Sequence, residues 1–313
     1  MQIFERFSTR AAPVASRTIA ASSDTEDTIA ALPGLTAWYE AADAAGNRWQ
    51  GGTDPYPSSP DEVALQAQFY WLARVDGPAP SDPAKKARAG KAWCKTAAPR
   101  ANADERPILM PAATPTGRAA LRIGHDADGG QVNLTQDEHS GALETDQGGM
   151  LAASSYFVAW VGRIAAAQTG DCVLLGNCRK GSEQAFQVMI NTTSGGQFKI
   201  RHRSLTSVLT VNSAFTVGTF QLFTLGWDSV SQKVILRRNG SQIGQATGVS
   251  TSLIVTELGS DLSIGAGGSE NAQSSARADL AAIWAGTVNL TNPAYAAQLA
   301  ALESYAMAAF ITP

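Results

Sequence analysis

From about residue 119 onward, apolar positions come in short runs with a period of two, separated by turn-forming residues. Leu121 and Ile123 lie in the first run. Phe186, Val188 and Ile190 alternate with Gln187 and Met189. Phe198, Ile200 and His202 alternate with Lys199, Arg201 and Arg203, and Phe223, Leu225 and Trp227 repeat the pattern. Successive side chains of an extended chain point to opposite faces, so this period predicts strands with one buried face. Tyr156-Phe157-Val158-Ala159-Trp160-Val161 is apolar almost throughout and predicts a central strand buried on both faces. Val234-Ile235-Leu236 leads into Arg238-Asn239-Gly240-Ser241 and then Gln242-Ile243. Asn-Gly between two such runs predicts a tight hairpin, because both central residues tolerate positive φ. Leu262-Ser263-Ile264-Gly265 and Leu280-Ala281-Ala282-Ile283-Trp284 complete the set. Many short strands at 8–15-residue spacing predict a sandwich or jelly roll.

The ends differ from this middle. Asn292 and Pro293 form a helix start, and Tyr295, Leu299, Leu302, Ala306 and Phe310 recur at spacings of four, three, four and four. This stripe predicts a C-terminal helix lying on the sandwich. Residues 1–34 are small and polar with scattered charges; they read as an extended arm that orders only on a partner. Residues 50–105 read as an insertion. Ser59-Pro60 opens an expected helix from Asp61 to about Arg74, carrying Val63, Leu65, Phe69, Tyr70 and Leu72. Lys85, Lys86, Arg88, Lys91, Lys95 and Arg100 follow, a solvated face before they are a contact patch for an acidic partner.

Composition narrows the classes. With 44% hydrophobic and 16% charged residues, the 313-residue chain is neither disordered in bulk nor a coiled coil. No stretch of about 18 apolar residues exists, so no helical membrane span is expected. A net charge of −3 argues against broad attraction to nucleic acid or an anionic membrane. Cys94, Cys172 and Cys178 do not read as a disulfide framework. Cys172 and Cys178 would lie about 20 Å apart in one strand and could meet only across a hairpin. The N-terminus lacks a secretory signal, so synthesis and folding in a reducing cytosol are expected. The Asn-X-Ser/Thr triplets at Asn133, Asn191, Asn239 and Asn289 then read as chance matches.

The order of these features resembles a concanavalin A-like, laminin-G-like jelly roll. Leu35-Thr36-Ala37-Trp38-Tyr39-Glu40-Ala41 resembles the first strand of that family, and Gly46-Asn47-Arg48-Trp49 the turn after it. Arg106-Pro107 and Gly117–Ile123, Ser155–Val161, Leu225-Gly226-Trp227-Asp228, Leu236–Gly240 and Ala278–Trp284 resemble later strands in the right order. The resemblance covers about 35–50 and 106–313. It implies an all-β antiparallel concanavalin A-like jelly-roll sandwich over residues 35–313, with the N-terminal arm, a partly helical insertion and the C-terminal helix attached.

The fold also hosts glycoside hydrolases that carry Glu-x-Asp-x-Glu or Glu-x-Asp-x-x-Glu on one strand. Glu144-Thr145-Asp146-Gln147-Gly148-Gly149 approaches this pattern but lacks the second glutamate. No Gly-x-Ser-x-Gly nucleophile elbow occurs. His125, His139 and His202 stand in unrelated contexts, and His202 reads as a packed histidine. Gly265-Ala266-Gly267-Gly268 lacks the helix and third glycine of a dinucleotide site. The chain is therefore expected not to be an enzyme. Asp126, Asp128 and Asn133 sit in a Gly-rich loop and are the candidate calcium ligands, weighed against a solvated turn. Trp49, Trp71 and Trp93 fall outside the clear strands and are candidate platforms for glycan stacking, weighed against packing of the insertion.

Laminin-G-like domains of this kind occur in bacteriophage particles. The resemblance thus implies a non-catalytic structural protein of a virion, as capsid decoration or tail component. It would be held to other virion proteins by the N-terminal arm and belong to a homo-oligomer or larger assembly. The alternative is a carbohydrate-binding lectin module that recognises a host surface glycan, with calcium as its only conceivable cofactor. No nucleic-acid or membrane partner is expected.

Overall fold

The computed structural model describes residues 24–41, 47–49, 69–76, 91–93, 108–110, 112–124, 143–145, 155–164, 168, 170–178, 184–193, 195–202, 206–249, 262–265 and 274–313. A short helix α1 (Asp24–Ala30) precedes the strands. These are β1 (Leu35–Glu40), β2 (Asn47–Trp49), β3 (Phe69–Asp76), β4 (Lys91–Trp93), β5 (Ile108–Met110), β6 (Ala120–Ile123), β7 (Leu143–Thr145), β8 (Tyr156–Ile164) and β9 (Cys172–Cys178). There follow β10 (Gln184–Asn191), β11 (Gln197–His202), β12 (Ser207–Val211), β13 (Gln221–Asp228), β14 (Lys233–Arg238), β15 (Ser241–Ala246), β16 (Ser263–Ile264), β17 (Ser274–Ser275) and β18 (Ala278–Gly286). Helix α2 (Ala296–Ala306) comes last, entered by a 3₁₀ turn at Pro293–Tyr295 and continued by a π turn at Met307–Ile311.

The strands form an antiparallel sandwich of two sheets. In the first, β18 pairs with β8, then β13, β14 and β15 follow in order. The other edge of β18 is shared by β1 and β6, with β3 outside β1 and β5 outside β6. The second sheet runs β2, β3, β4, β7, β16, β9, β10, β11, β12. Among the described strands only β17, which pairs with β9, is parallel. Strand β3 belongs to both sheets, pairing with β2 and β4 at its start and with β1 at its end.

The first sheet is covered on both faces, which explains its uninterrupted apolar strands. One face packs on the second sheet through Trp160, Phe198, Phe223, Trp227, Ile200, Leu225 and Ile283. The other is covered by α2 and α1 through Phe157, Trp284, Leu302, Tyr305, Phe310 and Ile29. Asn292 accepts a hydrogen bond from the Ala294 amide and so caps the turn where Pro293 needs no amide partner. Arg237 Nε and Nη2 grip Glu303 Oε1 and Oε2 at 2.7 and 3.0 Å, tying the β14–β15 hairpin to α2. Asn239 and Gly240 at that hairpin have φ of 47° and 82°.

Two expectations change. Residues 1–23 of the proposed arm lie outside the described residues, but 24–34 are not extended. Residues 24–30 form α1, whose Ile29 is fully buried beside α2, with Leu32 close behind. A lone helix of this length is unstable in water; burial of two apolar side chains against a neighbour supplies what its sequence lacks. The helix expected to run to Arg74 gives way to β3 from Phe69 onward. Phe-Tyr-Trp-Leu-Ala-Arg-Val suits a pleated surface, and pairing on both edges satisfies its backbone. The segment read as an insertion therefore contributes β3 and β4 to the sandwich. No described helix is long and apolar enough to cross a membrane.

Candidate functional site

The register of the second sheet aligns residues that are far apart in sequence. Arg48 pairs with Tyr70, Tyr70 with Trp93, and Trp93 with Glu144. Glu144 pairs with Ser263, Ser263 with Gly176, Gly176 with Gln187, and Gln187 with Arg201. Cross-strand partners share a face, so these eight residues form one row across eight strands, about 34 Å long at about 4.8 Å per strand. One position along, Ile264, Leu175, Val188, Ile200 and Leu209 make the companion row, and all five lie in the core between the sheets. The row from Arg48 to Arg201 therefore belongs to the outer face. It is polar and aromatic where its companion is aliphatic.

This register separates the three tryptophans. Trp93 is in the outer-face row next to Tyr70. Trp71 pairs with Asn47 and Ala92, and Trp49 with Phe69, in rows of opposite parity. Glu144 sits between Trp93 and Ser263 near the middle of the outer row. Asp126, Asp128 and Asn133 lie outside the described residues. Among the described residues, no three His, Cys, Asp or Glu side chains converge as a metal site.

At the β10–β11 end, Arg201 Nη1 donates to Gln187 Oε1 at 3.1 Å, and Gln187 is fully buried. The buried Arg201 Nε meets no acceptor among the described residues. Beside them, Lys199 Nζ lies 2.7 Å from Asp171 Oδ2, and Asn191 Nδ2 donates to Asp171 Oδ1 at 2.7 Å. Burial pushes the Asp171 carboxyl up, but the hydrogen bonds from Lys199 and Asn191 and the charges of Lys199 and Arg201 outweigh it. The group therefore stays below the usual carboxylate range.

The histidine and cysteine expectations resolve structurally. His202 is 1% exposed; its Nδ1 is 2.8 Å from the Tyr156 hydroxyl and its ring lies 4.2 Å from that of Trp227. Cys172 is a buried thiol whose Sγ lies 3.9 Å from the Gly170 carbonyl oxygen, and Cys172 and Cys178 are the two ends of β9, beyond bridging reach.

Two buried carboxylates escaped the sequence reading. Glu40, fully buried, accepts hydrogen bonds from Trp38 Nε1 at 2.8 Å and the Tyr305 hydroxyl at 2.6 Å, with Arg118 Nη1 at 3.6 Å. A tyrosine beside a carboxylate is a nucleophile-and-base arrangement in principle. Here it is sealed between α2 and the first sheet, where it latches the helix. Asp279, also fully buried, accepts from Arg122 and Arg163. Only the alternation of Asp279 with Ala278 and Leu280 could have hinted at its place, and alternation does not reveal its partners.

No protein-family model matches the chain, and no curated protein matches it. Solved structures do. The chain is similar to the sialidase of Trypanosoma rangeli at 12% identity and a TM-score of 0.46, covering 90% of this chain and 34% of that one. It is similar to the NanB sialidase of Streptococcus pneumoniae at 15% identity and a TM-score of 0.38, covering 45% and 23%. The chain thus spans a quarter to a third of the length of these proteins. They are enzymes, and this overturns the expectation that the chain is not one. That expectation rested on the absence of particular motifs, a second glutamate after Glu144, a nucleophile elbow and a dinucleotide pattern, and such absences remove only those arrangements. At such identities and TM-scores the likeness is one of fold and carries neither activity nor substrate to this chain. The chain is an antiparallel β-sandwich with a C-terminal helix.

Proposed function

We propose that the outer face of the second sheet binds carbohydrate. One observation carries the reading: the row in which Tyr70 and Trp93 stand on adjacent strands, continued by Glu144 and Ser263. A sugar ring offers an apolar face to an aromatic and a rim of hydroxyls to carboxylate, hydroxyl and guanidinium groups. The stretch from Arg48 to Ser263, about 19 Å long at about 4.8 Å per strand, suits a few sugar units in line. Calcium held by Asp126, Asp128 and Asn133 is a further part of the proposal.

The test is a glycan array probed with the full chain, with calcium and then with chelator. Selective binding that falls at least tenfold in Trp93→Ala and Tyr70→Ala supports the reading. Absence of binding, or binding indifferent to both substitutions, overturns it. The concanavalin A-like and virion reading is supported by the order of strand motifs. Its test is incorporation of the chain into particles after deletion of residues 1–23, a cut that spares the buried Ile29.

A further inference from the structure

Past the end of the helical cover, the α2 side of the first sheet carries a short charged row. Arg122 pairs with Asp279, and Asp279 with Arg163, on three adjacent strands. Their neighbours along the same face, Ala120, Ala281 and Val161, lie in the core beneath the helices. The row is thus where this face leaves its cover. Asp279 is completely buried, yet the two guanidinium side chains are 26% and 27% exposed. Arg122 Nε and Nη2 clasp both carboxylate oxygens at 2.7 and 3.0 Å, and Arg163 Nε donates to Oδ2 at 2.7 Å. The Arg163 guanidinium also lies 5.0 Å from the centre of the Phe220 ring.

We propose that Arg122 and Arg163 form a binding site for a phosphate or sulfate group. One carboxylate cannot neutralise two guanidinium groups, so the cluster keeps a positive charge, and no second acid among the described residues pairs with either arginine. Of the five N–H groups on each guanidinium, Arg122 commits two to Asp279 and Arg163 one. The remaining donors belong to two side chains held on either side of a single buried carboxylate. Donors from two neighbouring side chains suit a tetrahedral oxyanion, which presents three oxygens, better than a planar carboxylate. Asp279 is the positioning residue: it touches both arginines and, being buried, not the ligand. The Phe220 ring fixes the plane of Arg163.

The test is titration of the full chain with inorganic phosphate, sulfate and acetate, followed by calorimetry and by NMR of the arginine Nε–H signals. The expected result is saturable one-to-one binding of phosphate or sulfate, weaker by at least tenfold for acetate, with movement of the Arg122 and Arg163 signals. Arg122→Gln and Arg163→Gln should each weaken it at least tenfold, and Arg163→Lys should restore part of it. Lys199→Gln, on the other sheet, should leave it unchanged. The signals are read on the unsubstituted protein, so the result stands even if a variant misfolds. Absence of binding, binding with both signals unmoved, or binding undiminished in folded arginine variants would overturn the proposal.

Discussion

Replacing Phe310 by alanine tests how α2 is held. The ring is fully buried on the first sheet, 6.2 Å from Trp284 and 6.4 Å from Tyr305 between ring centres, with the Arg118 guanidinium 5.3 Å from its own centre. Removing about 150–250 Å² of buried aromatic surface at about 25 cal/mol per Å² gives about 4–6 kcal/mol as an upper bound. Measured truncations of buried phenylalanine cost about 3–5 kcal/mol. The expected loss is therefore about 3–5 kcal/mol. Urea unfolding followed by tryptophan fluorescence reads it as a fall in midpoint with an unchanged slope. Val230→Ser is the control: Val230 is 93% exposed and should change stability by less than about 0.5 kcal/mol. A loss below about 1 kcal/mol for Phe310→Ala would refute the account of α2 as an integral third layer.

Other predictions rest on separate features. Burial raises the Asp279 carboxyl, but hydrogen bonds and charge from Arg122 and Arg163 hold it below its ordinary value in an unfolded chain. Its stabilisation is thus fully present above that unfolded-state value and lost as pH falls through the lower folded value. Stability measured from pH 5 to pH 2 should decline less steeply in Asp279→Asn, and an equal slope would contradict this linkage. Gly226→Ala should destabilise by about 2 kcal/mol or more, because a methyl group there collides with Asn289 Oδ1 and Thr291 Oγ1; thermal melting within a degree of the original would refute it. Gly240→Ala should cost about 1–2 kcal/mol through its φ of 82°, with space otherwise free of clashes. Tyr305→Phe should cost about 1.5–3 kcal/mol by removing a donor to buried Glu40, measurable in the same urea titration.

Much of the sandwich was legible in the sequence because its signals are local. Alternation marked β10, β11 and β13, an uninterrupted apolar run marked β8, and Asn239-Gly240 marked a hairpin whose two residues both have positive φ. The stripe through Leu299, Leu302, Ala306 and Phe310 marked the helix that buries it. These patterns arise from side-chain periods of 2 and 3.6, and a chain carries them whatever it packs against. Tertiary structure decided what periodicity does not encode. Asp24–Ala30 is helical because Ile29 finds α2; Phe69–Asp76 is a strand because β1, β2 and β4 occupy its edges. The outer row from Arg48 to Arg201 joins residues more than 150 positions apart, and Arg122 meets Asp279 across 157. Long-range pairing sets such neighbours through backbone hydrogen bonds common to every residue type, so the residues themselves hold no record of whom they will face.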